Sequence, residues 1–349
     1  MSIDGVRSVL VVIPTLNEAA HIEHVVETLA RGWNPRHEVR VVVVDGGSTD
    51  GTVETVHRLA ASRTWLSLLP NPQRIQSAAV NLAARRLGSG TDVLVRCDAH
   101  ADYPDGFVRA LVETLERAQA DAVVVPMDSH GRTCVQRAVA WVSDTPLGSG
   151  GSAHRGGRRS GFIDHGHHAA FRMESFRRAG GYDETFTHNE DAELDCRQRA
   201  LGSRIYLDAD IRIGYSPRDT LRGLWRQYFG YGKGRARTVR KHPGSMRPRQ
   251  LAVPVFLSAN VLALAASYWL PWLLVLPAAY GLAVLAVSVA IALKQHSLCG
   301  LWSGPAAVTM HAAWAAGFLW SMAFLRQSPW STSHATPLVL EERQIRTEP

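Results

Sequence analysis

Two short hydrophobic runs near the start of the chain each end abruptly in polar residues. The first run, Val9–Ile13, ends in PTLNE at 14–18, and the second, Val41–Val44, ends in DGGSTDG at 45–51. Continuous β-branched runs of this length are typical of strands buried on both faces of a parallel sheet. Open α/β sheets bind ligands just past the carboxyl ends of their strands, so the two loops predict a nucleotide site. The alternative is that their Gly, Ser and Asp residues only form tight turns.

Apolar runs of strand length alternate with segments of helical pattern through the polar part of the chain. The predicted strands are Val9–Ile13, Val39–Val44, Trp65–Leu69, Val93–Cys97 and Ala122–Val125, and the predicted helices are Ala19–Ala30, Thr52–Ala61, Gln76–Leu87 and Phe107–Gln119. This βαβα order predicts an α/β fold with a mostly parallel, doubly wound sheet. No G-x-G-x-x-G follows the first strand, which disfavours a dinucleotide site of the Rossmann type.

The last third of the chain is almost free of charge. Leu251–Leu270 and Leu273–Leu293 are uncharged and each long enough to cross a bilayer, and Pro305–Leu325 is a third candidate. The turn between the first two carries aromatic side chains suited to the lipid–water interface: Tyr268, Trp269 and Trp272. The sequence therefore predicts a membrane domain of about three transmembrane helices at 246–326 and a polar tail at 327–349. Buried helices of a large soluble core are the alternative.

Charge and cysteine content extend this picture. The net charge is +7, and Arg218–Arg249 holds ten Lys or Arg residues against one acid, Asp219. By the positive-inside rule this predicts a cytoplasmic domain at 1–245 in a multi-pass protein of the inner or plasma membrane. These cations suit anionic lipid headgroups or lipid phosphates, and no nucleic-acid motif accompanies them. Four widely spaced cysteines predict reduced cytosolic thiols: Cys97, Cys134, Cys196 and Cys299.

An acidic and an imidazole side chain follow the predicted strand Val93–Cys97. In an extended segment residues i and i+2 point the same way, so Asp98 and His100 could converge on one point. A nucleoside-diphosphate sugar needs a divalent cation to neutralise its diphosphate, and one carboxylate with phosphate oxygens is a usual way to hold Mg²⁺. Asp98 and His100 are therefore the candidate metal ligands. A strand-end turn with solvated polar groups is the alternative.

The segment THNEDAELD at 187–195 opens a predicted helix with four carboxylates in six residues. Asn189 can cap this helix, and Glu190 and Asp191 lie in its first turn, where carboxylates are favourable against the helix dipole. Capping explains one or two acids, whereas four at the mouth of an α/β site indicate that one is aimed at a substrate. An ionised carboxylate there could accept a hydroxyl proton as the hydroxyl attacks an anomeric carbon. Asp191 and Glu190 are therefore the predicted catalytic residues.

Taken together, these motifs resemble the inverting glycosyltransferases of family 2, which have the GT-A fold. The resemblance rests on VVIPTLNE at 11–18, DGGSTDGT at 45–52, RCDAHA at 96–101, HNEDAELDCR at 188–197 and RQYFGYGKGR at 226–235. It covers residues 8–245 and is greatest to the membrane-attached glucosyltransferase type of succinoglycan assembly. It implies transfer of a hexose, expected to be glucose, from a UDP-sugar to a lipid-linked or polysaccharide acceptor. The implied setting is exopolysaccharide or cell-envelope glycan synthesis.

The resemblance also implies roles for individual residues. The residues expected to bind the nucleotide-sugar donor are Pro14, Thr15 and Glu18 at the base and ribose, Asp45 at the uracil edge or ribose, Arg74 at the phosphate side, and Asp98. Asp98 and His100 occupy the D-x-D motif of the family, which holds a divalent cation, Mn²⁺ or Mg²⁺. His100 stands where a second Asp is usual; imidazole suits Mn²⁺ better, and Asp102 could substitute for it.

A basic element follows these motifs. Arg226, Gln227 and Arg235 correspond to the part of the family that closes over the diphosphate or the acceptor, and a membrane-proximal basic helix is the alternative. The glycine-rich stretch at 148–159 reads as a mobile acceptor loop or a flexible linker. DHGHH at 164–168 reads as a metal tract or, as the family implies, a core-facing strand beside the donor sugar.

Two rival functions remain open at this point. In a polyprenyl-phosphate sugar synthase a phosphate attacks directly and no strong base is needed. The other rival is a non-catalytic membrane scaffold that retains the fold. The carboxylates Asp45, Asp98 and Asp191 count against the scaffold, because loss of function would be expected to remove them first.

Overall fold

The computed structural model describes Val6 and residues 8–149 and 159–341, and the chain divides into two compact units. The first unit comprises Met1–Met127, Gly156–Gly214 and Ser331–Pro349, and the second comprises Asp128–Arg155 and Tyr215–Trp330. Both units are discontinuous in sequence, whereas the sequence pattern suggested a single boundary after residue 245. Most of the glycine-rich stretch at 148–159 lies outside the described residues.

The first unit is built on an eight-stranded sheet. The described residues form ten strands, and eight of them make up this sheet. In chain order the ten are β1 (Ser8–Thr15), β2 (Glu38–Asp45), β3 (Leu66–Pro70), β4 (Val93–Arg96), β5 (Ala122–Val124), β6 (Met127–Ser129), β7 (Gly161–Phe162), β8 (His168–Arg172), β9 (Ile205–Leu207) and β10 (Ile213–Tyr215). The large sheet has the order β3-β2-β1-β4-β8-β5-β9-β7, and β6 pairs with β10. The pairs β1–β2, β1–β4, β2–β3 and β5–β9 are parallel, which confirms the predicted mostly parallel α/β fold.

Twelve α-helices occur in the described residues. They are α1 (Ile22–Leu29), α2 (Thr52–Ala60), α3 (Gln76–Leu87), α4 (Phe107–Arg117), α5 (Cys134–Ser143), α6 (Pro146–Ser149), α7 (Met173–Arg178), α8 (Glu190–Ala200), α9 (Leu221–Lys241), α10 (Pro248–Ala266), α11 (Val275–Lys294) and α12 (Ser303–Phe324). Helices α1 to α4, α7 and α8 belong to the first unit, and the others belong to the second.

Both faces of the sheet are covered, which accounts for the continuous apolar runs. Along β1, Val9, Val11 and Ile13 pack in one apolar cluster, and Leu10 and Val12 pack in a second cluster on the other face. All five side chains are fully buried. A strand enclosed on both sides has no position at which a polar side chain reaches water, so alternation disappears.

Strand β8 was not found by the strand pattern of the sequence. It lies between β4 and β5 and is antiparallel to both, so the two strands that are successive in the chain are not neighbours in the sheet. Its short sequence, HAAFR, has no apolar run of the length seen in β1 or β2. Only tertiary pairing makes it a strand.

The register of β1 and β2 brings the first two predicted loops together. Pro14 pairs with Val44 and Thr15 with Asp45, and the backbone N–H of Gly46 donates to the carbonyl of Thr15. The carboxyl ends of these parallel strands therefore lie side by side. This edge of the sheet is where open α/β folds place their ligands.

The second unit contains three long apolar helices at the positions of the three predicted spans. Only one stretch of the described residues, Pro271–Lys294, is both long and apolar enough to cross a membrane, and Gln250–Ala266 is a shorter apolar helix. The third, α12, includes polar side chains, and Ser303, Met310 and Phe318 are buried within the protein. By length and composition, the described residues therefore contain one candidate span where the sequence predicts about three.

The prediction of four free thiols is wrong for one pair of cysteines. Cys134 and Cys299 form a disulfide with their Cα atoms 4.9 Å apart, and both belong to the second unit. Cys97 and Cys196 are not part of a disulfide. The bonded pair is separated by 165 residues, and α5 meets the segment Leu298–Trp302 only in the folded chain. Sequence spacing cannot reveal such a pair.

Candidate active site

A buried arginine connects the two most important predicted carboxylates. Arg96 is the last residue of β4, and its side chain is only 5% exposed. Its Nη1 lies 3.1 Å from Asp191 Oδ2, and its Nη2 lies 3.1 Å from Asp98 Oδ1. A buried guanidinium without such partners would be strongly destabilising. The end of β4 and the start of α8 therefore present one linked carboxylate–guanidinium–carboxylate cluster.

Asp191 is further positioned by a buried phenol. Tyr182 Oη donates a hydrogen bond to Asp191 Oδ1 at 2.8 Å, and its ring packs against Phe171 and Phe176. Burial, followed by the charge of Asp191, raises the pKa of Tyr182 well above its ordinary value. The hydroxyl therefore stays protonated and acts as a donor. Tyr182 lies in none of the sequence motifs and was not identified from the sequence.

Asp98 is held from three sides. Its Oδ1 accepts a hydrogen bond from Gln76 Nε2 at 2.7 Å in addition to the contact with Arg96, and its Oδ2 lies 3.6 Å from His167 Nε2. Burial opposes the charged form of Asp98, but Arg96 and His167 outweigh it, so the pKa of Asp98 lies below its ordinary value. The carboxylate is therefore ionised at neutral pH and keeps its negative charge for a cation.

His167 is a site residue that sequence reasoning did not single out within the DHGHH tract. Its Nδ1 lies 3.7 Å from Asp191 Oδ2, so the ring lies between Asp191 and Asp98. Two residues earlier, His165 Nδ1 lies 2.6 Å from Asp195 Oδ2, one helical turn beyond Asp191 in α8. The spacing of two between the histidines matches an extended segment with both rings on one side.

Helix α8 begins differently from the prediction. Asn189 precedes it in the left-handed conformation, with φ of 67°, and its side chain makes no cap hydrogen bond. The capping role predicted for Asn189 is therefore wrong. Asp191 is turned towards Arg96 and Tyr182 instead of serving the helix end, which agrees with the prediction that one acid of this segment has another task.

Glu190 has a different electrostatic environment from its neighbour. Burial, followed by the charge of Asp191, raises the pKa of Glu190 from 4.5 to about 7. Two adjacent carboxyl groups with such different environments favour different protonation states near neutral pH. Asp191, whose oxygens contact Arg96 and Tyr182, is the better candidate for the base.

The raised pKa of Glu190 predicts a pH-dependent stability. Because the folded-state pKa exceeds the unfolded value, its contribution is fully present below about 4.5 and is lost as pH rises through about 7. Glu190→Gln should therefore have a melting temperature close to wild type at pH 5 and higher than wild type at pH 8.5. Thermal unfolding of both proteins at the two pH values checks this. A constant difference would contradict the buried, proton-binding environment.

The second predicted loop is organised around Asp45. Asp45 Oδ2 accepts hydrogen bonds from the backbone N–H groups of Gly47 and Ser48 at 2.8 and 2.9 Å. Gly47 has φ of +87°, and a Cβ on it would lie 3.0 Å from Arg74 Nη2. The guanidinium of Arg74 therefore lies over this loop, beside the strand ends that carry Pro14 and Thr15. Four of the residues predicted to bind the nucleotide sugar are thus brought together.

Glu18 and His100 meet each other. His100 Nδ1 lies 2.8 Å from Glu18 Oε1, and the imidazole is 50% exposed. His100 is also near enough to Asp98 to contribute to lowering its pKa. Within residues 8–149 and 159–341, no three His, Cys, Asp or Glu side chains form a group that could hold a metal ion by themselves.

The predicted acceptor residues lie in the second unit and differ in accessibility. Gln227 Nε2 donates to the hydroxyls of Tyr215 and Tyr231 at 2.8 and 2.9 Å. Arg235 is buried, with its Nε 3.1 Å from Gln250 Oε1, and also bonds the carbonyl of Ser245. This arginine fastens α9 to the start of α10. Arg226, in contrast, is exposed on α9.

Replacing Tyr182 tests how Asp191 is positioned. Hydrogen bonds to charged groups contribute about 1.5–3 kcal/mol, so we expect Tyr182→Phe to lower kcat about 10- to 100-fold. The apolar ring contacts survive in phenylalanine, so thermal stability and donor KM should change little. Tyr206→Phe, a strand residue of the same unit, is the matched control. Equal kcat in the two variants would exclude a positioning role for Tyr182.

This arrangement defines a class of protein. The mostly parallel sheet of the first unit, with polar groups gathered at its strand ends, is the architecture of the GT-A glycosyltransferases. The chain belongs to glycosyl transferase family 2, whose family model matches residues 10–180. It is 45% identical to the succinoglycan biosynthesis protein ExoA of Rhizobium meliloti (strain 1021) over 324 residues, which cover 91% of this chain and 96% of that protein. The predicted glycosyltransferase class is confirmed.

Two more distantly related proteins are also glycosyltransferases. The dolichyl N-acetyl-alpha-D-glucosaminyl phosphate 3-beta-D-2,3-diacetamido-2,3-dideoxy-beta-D-glucuronosyltransferase of Methanococcus voltae is 21% identical over 239 residues, which cover 66% of this chain and 74% of that protein. The mannosyltransferase PcManGT from Pyrobaculum calidifontis, solved in complex with GDP-Man and Mn²⁺, has a similar fold with a TM-score of 0.57. That match is 23% identical and covers 93% of this chain and 89% of the other. The predicted GT-A fold is confirmed.

Proposed function

We propose that the protein is an inverting hexosyltransferase that moves a sugar, glucose being our first choice, from a UDP-sugar to a lipid-linked or polysaccharide acceptor in exopolysaccharide synthesis. The observation that carries the proposal is the bridge from Asp98 through Arg96 to Asp191. This bridge links Asp98, the carboxylate of the D-x-D position, to Asp191, the expected base. The exopolysaccharide setting is supported by the name of the relative that is 45% identical, and a lipid-linked acceptor by the name of the archaeal relative.

In this reaction Asp191 removes the proton of the acceptor hydroxyl. The acceptor oxygen forms a bond to the anomeric carbon while the bond from that carbon to the diphosphate oxygen breaks, so the configuration inverts. The nucleoside diphosphate leaves with the bonding electron pair, and the proton remains on Asp191. Arg96 and Tyr182 hold the carboxylate in one orientation, because each contacts a different oxygen within about 3 Å. General-base catalysis of this kind contributes about 10²- to 10⁴-fold.

A divalent cation, Mn²⁺ or Mg²⁺, fits the residues present if the donor supplies most of its ligands. Such cations are commonly bound through one or two carboxylates and substrate phosphates. Asp98 is ionised and partly exposed, His100 lies two residues further along the same loop, and Glu18 contacts His100 from the loop after β1. When bound, the cation would neutralise charge on the departing diphosphate. Of the donor set, Asp98 is the carboxylate we expect to hold it, with His100 as the second candidate.

The UDP part of the donor is proposed to lie on the carboxyl ends of β1 and β2. Pro14 and Thr15 border this edge, and Asp45 fixes the turn of the DGGS loop by accepting hydrogen bonds from the N–H groups of Gly47 and Ser48. Arg74 lies over the same loop and supplies a positive charge for phosphate. Glu18 is anchored from its backbone N–H to Thr52 Oγ1 at 2.9 Å, which fixes the first loop against the second.

A panel of nucleotide sugars tests the proposal directly. Membranes containing the protein are incubated with labelled UDP-glucose, UDP-galactose, UDP-N-acetylglucosamine and GDP-mannose, and lipid-extractable label is measured. We expect transfer from one UDP-sugar at least about tenfold above the rest. Label on polyprenyl phosphate itself, rather than on a lipid-linked saccharide, would instead support the synthase rival. Absence of both transfer and nucleotide-sugar hydrolysis would support the scaffold rival.

Arg226, which is exposed on α9, is a better position than the buried Arg235 for a test of acceptor binding. Each cation near an anionic surface contributes roughly 1 kcal/mol, so reversing one charge should raise the KM for an anionic lipid-phosphate acceptor at least about tenfold at low salt. We expect this for Arg226→Glu, with hydrolysis of the sugar nucleotide by water unchanged. Arg222→Glu, one helical turn earlier and also exposed, is the matched control. If the acceptor KM is the same in the two variants, Arg226 has no specific role in acceptor binding.

A further inference from the structure

The segment that follows the three apolar helices returns to the catalytic unit. Residues 331–341 belong to the same compact unit as Asp98 and Asp191. Leu338 is 7% exposed and packs in the apolar cluster that also contains Phe176 and Leu194. We call residues 331–341 the C-terminal strap.

Backbone contacts fix the strap in place. The N–H of Leu338 donates to the carbonyl of Arg177 at 2.8 Å, and the N–H of Glu341 donates to the carbonyl of Arg85 at 2.7 Å. A Cβ on Gly180 would lie 2.7 Å from the carbonyl of Thr336, so this turn must be glycine for the strap to approach. Buried apolar contact and paired backbone groups together indicate an integral part of the unit.

The strap limits how the chain can be threaded through a membrane. The chain leaves the first unit at Gly214 and re-enters it at Ser331, and every apolar helix lies between these points. The two ends of this excursion are on the same side of any bilayer. The number of crossings must therefore be even, whereas three spans would put the strap on the side opposite to the unit that contains it.

Helix α12 is the apolar helix that does not fit in hydrocarbon. Gly232 of α9 directly contacts the backbone of Trp314, and Gly317 contacts the backbone of Phe229, so the two helices pack closely. Along the same interface Lys233 Nζ lies 4.8 Å from the ring centre of Trp320, and Arg237 Nη2 lies 2.9 Å from Gln327 Oε1. Charged side chains at the centre of a bilayer are costly, so the C-terminal half of α12 must lie at water or headgroup level.

Helices α10 and α11, unlike α12, are suited to the hydrocarbon core of a bilayer. At 19 and 20 residues and 1.5 Å per residue, each is about 30 Å long, which is the thickness of the hydrocarbon core. Large apolar side chains on both are exposed, among them Val261, Leu262, Leu282 and Leu293. Tyr268, Trp269 and Trp272 lie at the turn that joins them, where they suit an interface.

We propose that α10 and α11 form a hairpin that crosses the bilayer twice, with its aromatic turn at the far surface, and that α12 and the C-terminal strap lie on the side of the catalytic unit. This inference rests on the lipid-linked acceptor of the proposed function, which would bring the protein to a membrane. It replaces the three predicted spans by two. The chain enters the membrane segment from the unit that holds Asp191 and returns to the same unit. There the strap packs on the Gly180–Gly181 turn next to Tyr182.

Epitope accessibility in the full-length protein tests the topology. One tag is fused to the N-terminus, one to the C-terminus, and one is inserted between Trp269 and Leu270; each variant is probed in intact and permeabilised spheroplasts. We expect both terminal tags to require permeabilisation and the tag in the turn to be reached in intact cells. Terminal tags on opposite sides, or a turn on the same side as the termini, would overturn the proposal. Recovery of the protein in the soluble fraction would overturn the membrane attachment itself.

A matched pair of variants tests the strap separately. Leu338→Asp places a charge in the apolar cluster, whereas Val339→Asp changes a neighbour that is 76% exposed. We expect Leu338→Asp to lower the melting temperature by at least about 4 °C and to expose residues 331–341 to protease, with little effect of Val339→Asp. If Leu338→Asp does not accumulate, Leu338→Ala replaces it. Equal protease sensitivity and equal melting temperatures in both positions would show that the strap is not docked.

Discussion

Asp191→Asn should abolish sugar transfer while leaving nucleotide binding nearly intact. The amide keeps the size of the side chain and can still contact Tyr182, but it cannot accept the proton of the acceptor hydroxyl. General-base catalysis is typically worth about 10²- to 10⁴-fold, so kcat should fall by at least about 100-fold. Single-turnover transfer kinetics and the Kd for UDP by calorimetry check both parts of this expectation.

The matched control lies one turn further along the same helix. Asp195→Asn removes a carboxylate that contacts His165 instead of Arg96 or Tyr182. We expect it to change stability more than kcat. A loss below tenfold in Asp191→Asn, or an equal loss in both variants, would contradict the assignment of Asp191 as the base. Retained transfer onto polyprenyl phosphate by Asp191→Asn would favour the synthase rival, because phosphate needs no base.

Asp98→Ala should remove the dependence of nucleotide binding on a divalent cation. In the wild type, Mn²⁺ is expected to tighten UDP binding at least about tenfold, which corresponds to about 1.4 kcal/mol. Without the carboxylate, the Kd for UDP should be the same with and without Mn²⁺. Calorimetry of the two proteins at fixed pH measures this without requiring turnover.

Asp102→Ala is the control for the metal assignment. Asp102 is exposed, lies four residues beyond Asp98, and its backbone pairs with Gly214. The sequence left it open as a substitute for His100. If Asp102→Ala abolishes the Mn²⁺ effect and Asp98→Ala does not, the cation is held at Asp102. Thermal unfolding of Asp98→Ala shows whether the loss of the Arg96 partner has destabilised the unit.

The strand-and-helix order of the nucleotide half could be predicted because local patterns dictate it. Helix α3 was predicted at its observed bounds, and β1, β2, α2 and β5 differ by only a few residues at their ends. Helix α1 begins at Ile22 rather than Ala19 because Asn17 is left-handed and Glu18 to His21 form a turn first. End effects of this kind depend on backbone hydrogen bonds that side-chain periodicity does not report.

The site was predicted in part. The sequence motifs contain Asp98 and Asp191, but no pattern shows that Arg96 contacts both carboxylates. Arg96 and His167 lie in segments that the sequence singles out, RCDAHA and DHGHH, but neither residue was assigned a role of its own, and Tyr182 lies in no motif. Arg235 was predicted to contact the acceptor or diphosphate, but it is buried against α10.

The sequence by itself determined the alternation of strands and helices, the glycosyltransferase motifs and the apolar character of the last third of the chain. These properties depend on neighbouring residues, whose spacing decides which faces are apolar and which loops are polar. Tertiary structure alone decided the insertion of β8, the bond between Cys134 and Cys299, the burial of α12 and the return of the C-terminal strap. Each of these is a contact between segments far apart in the chain, and its free energy comes from burial and pairing that exist only after the chain has folded.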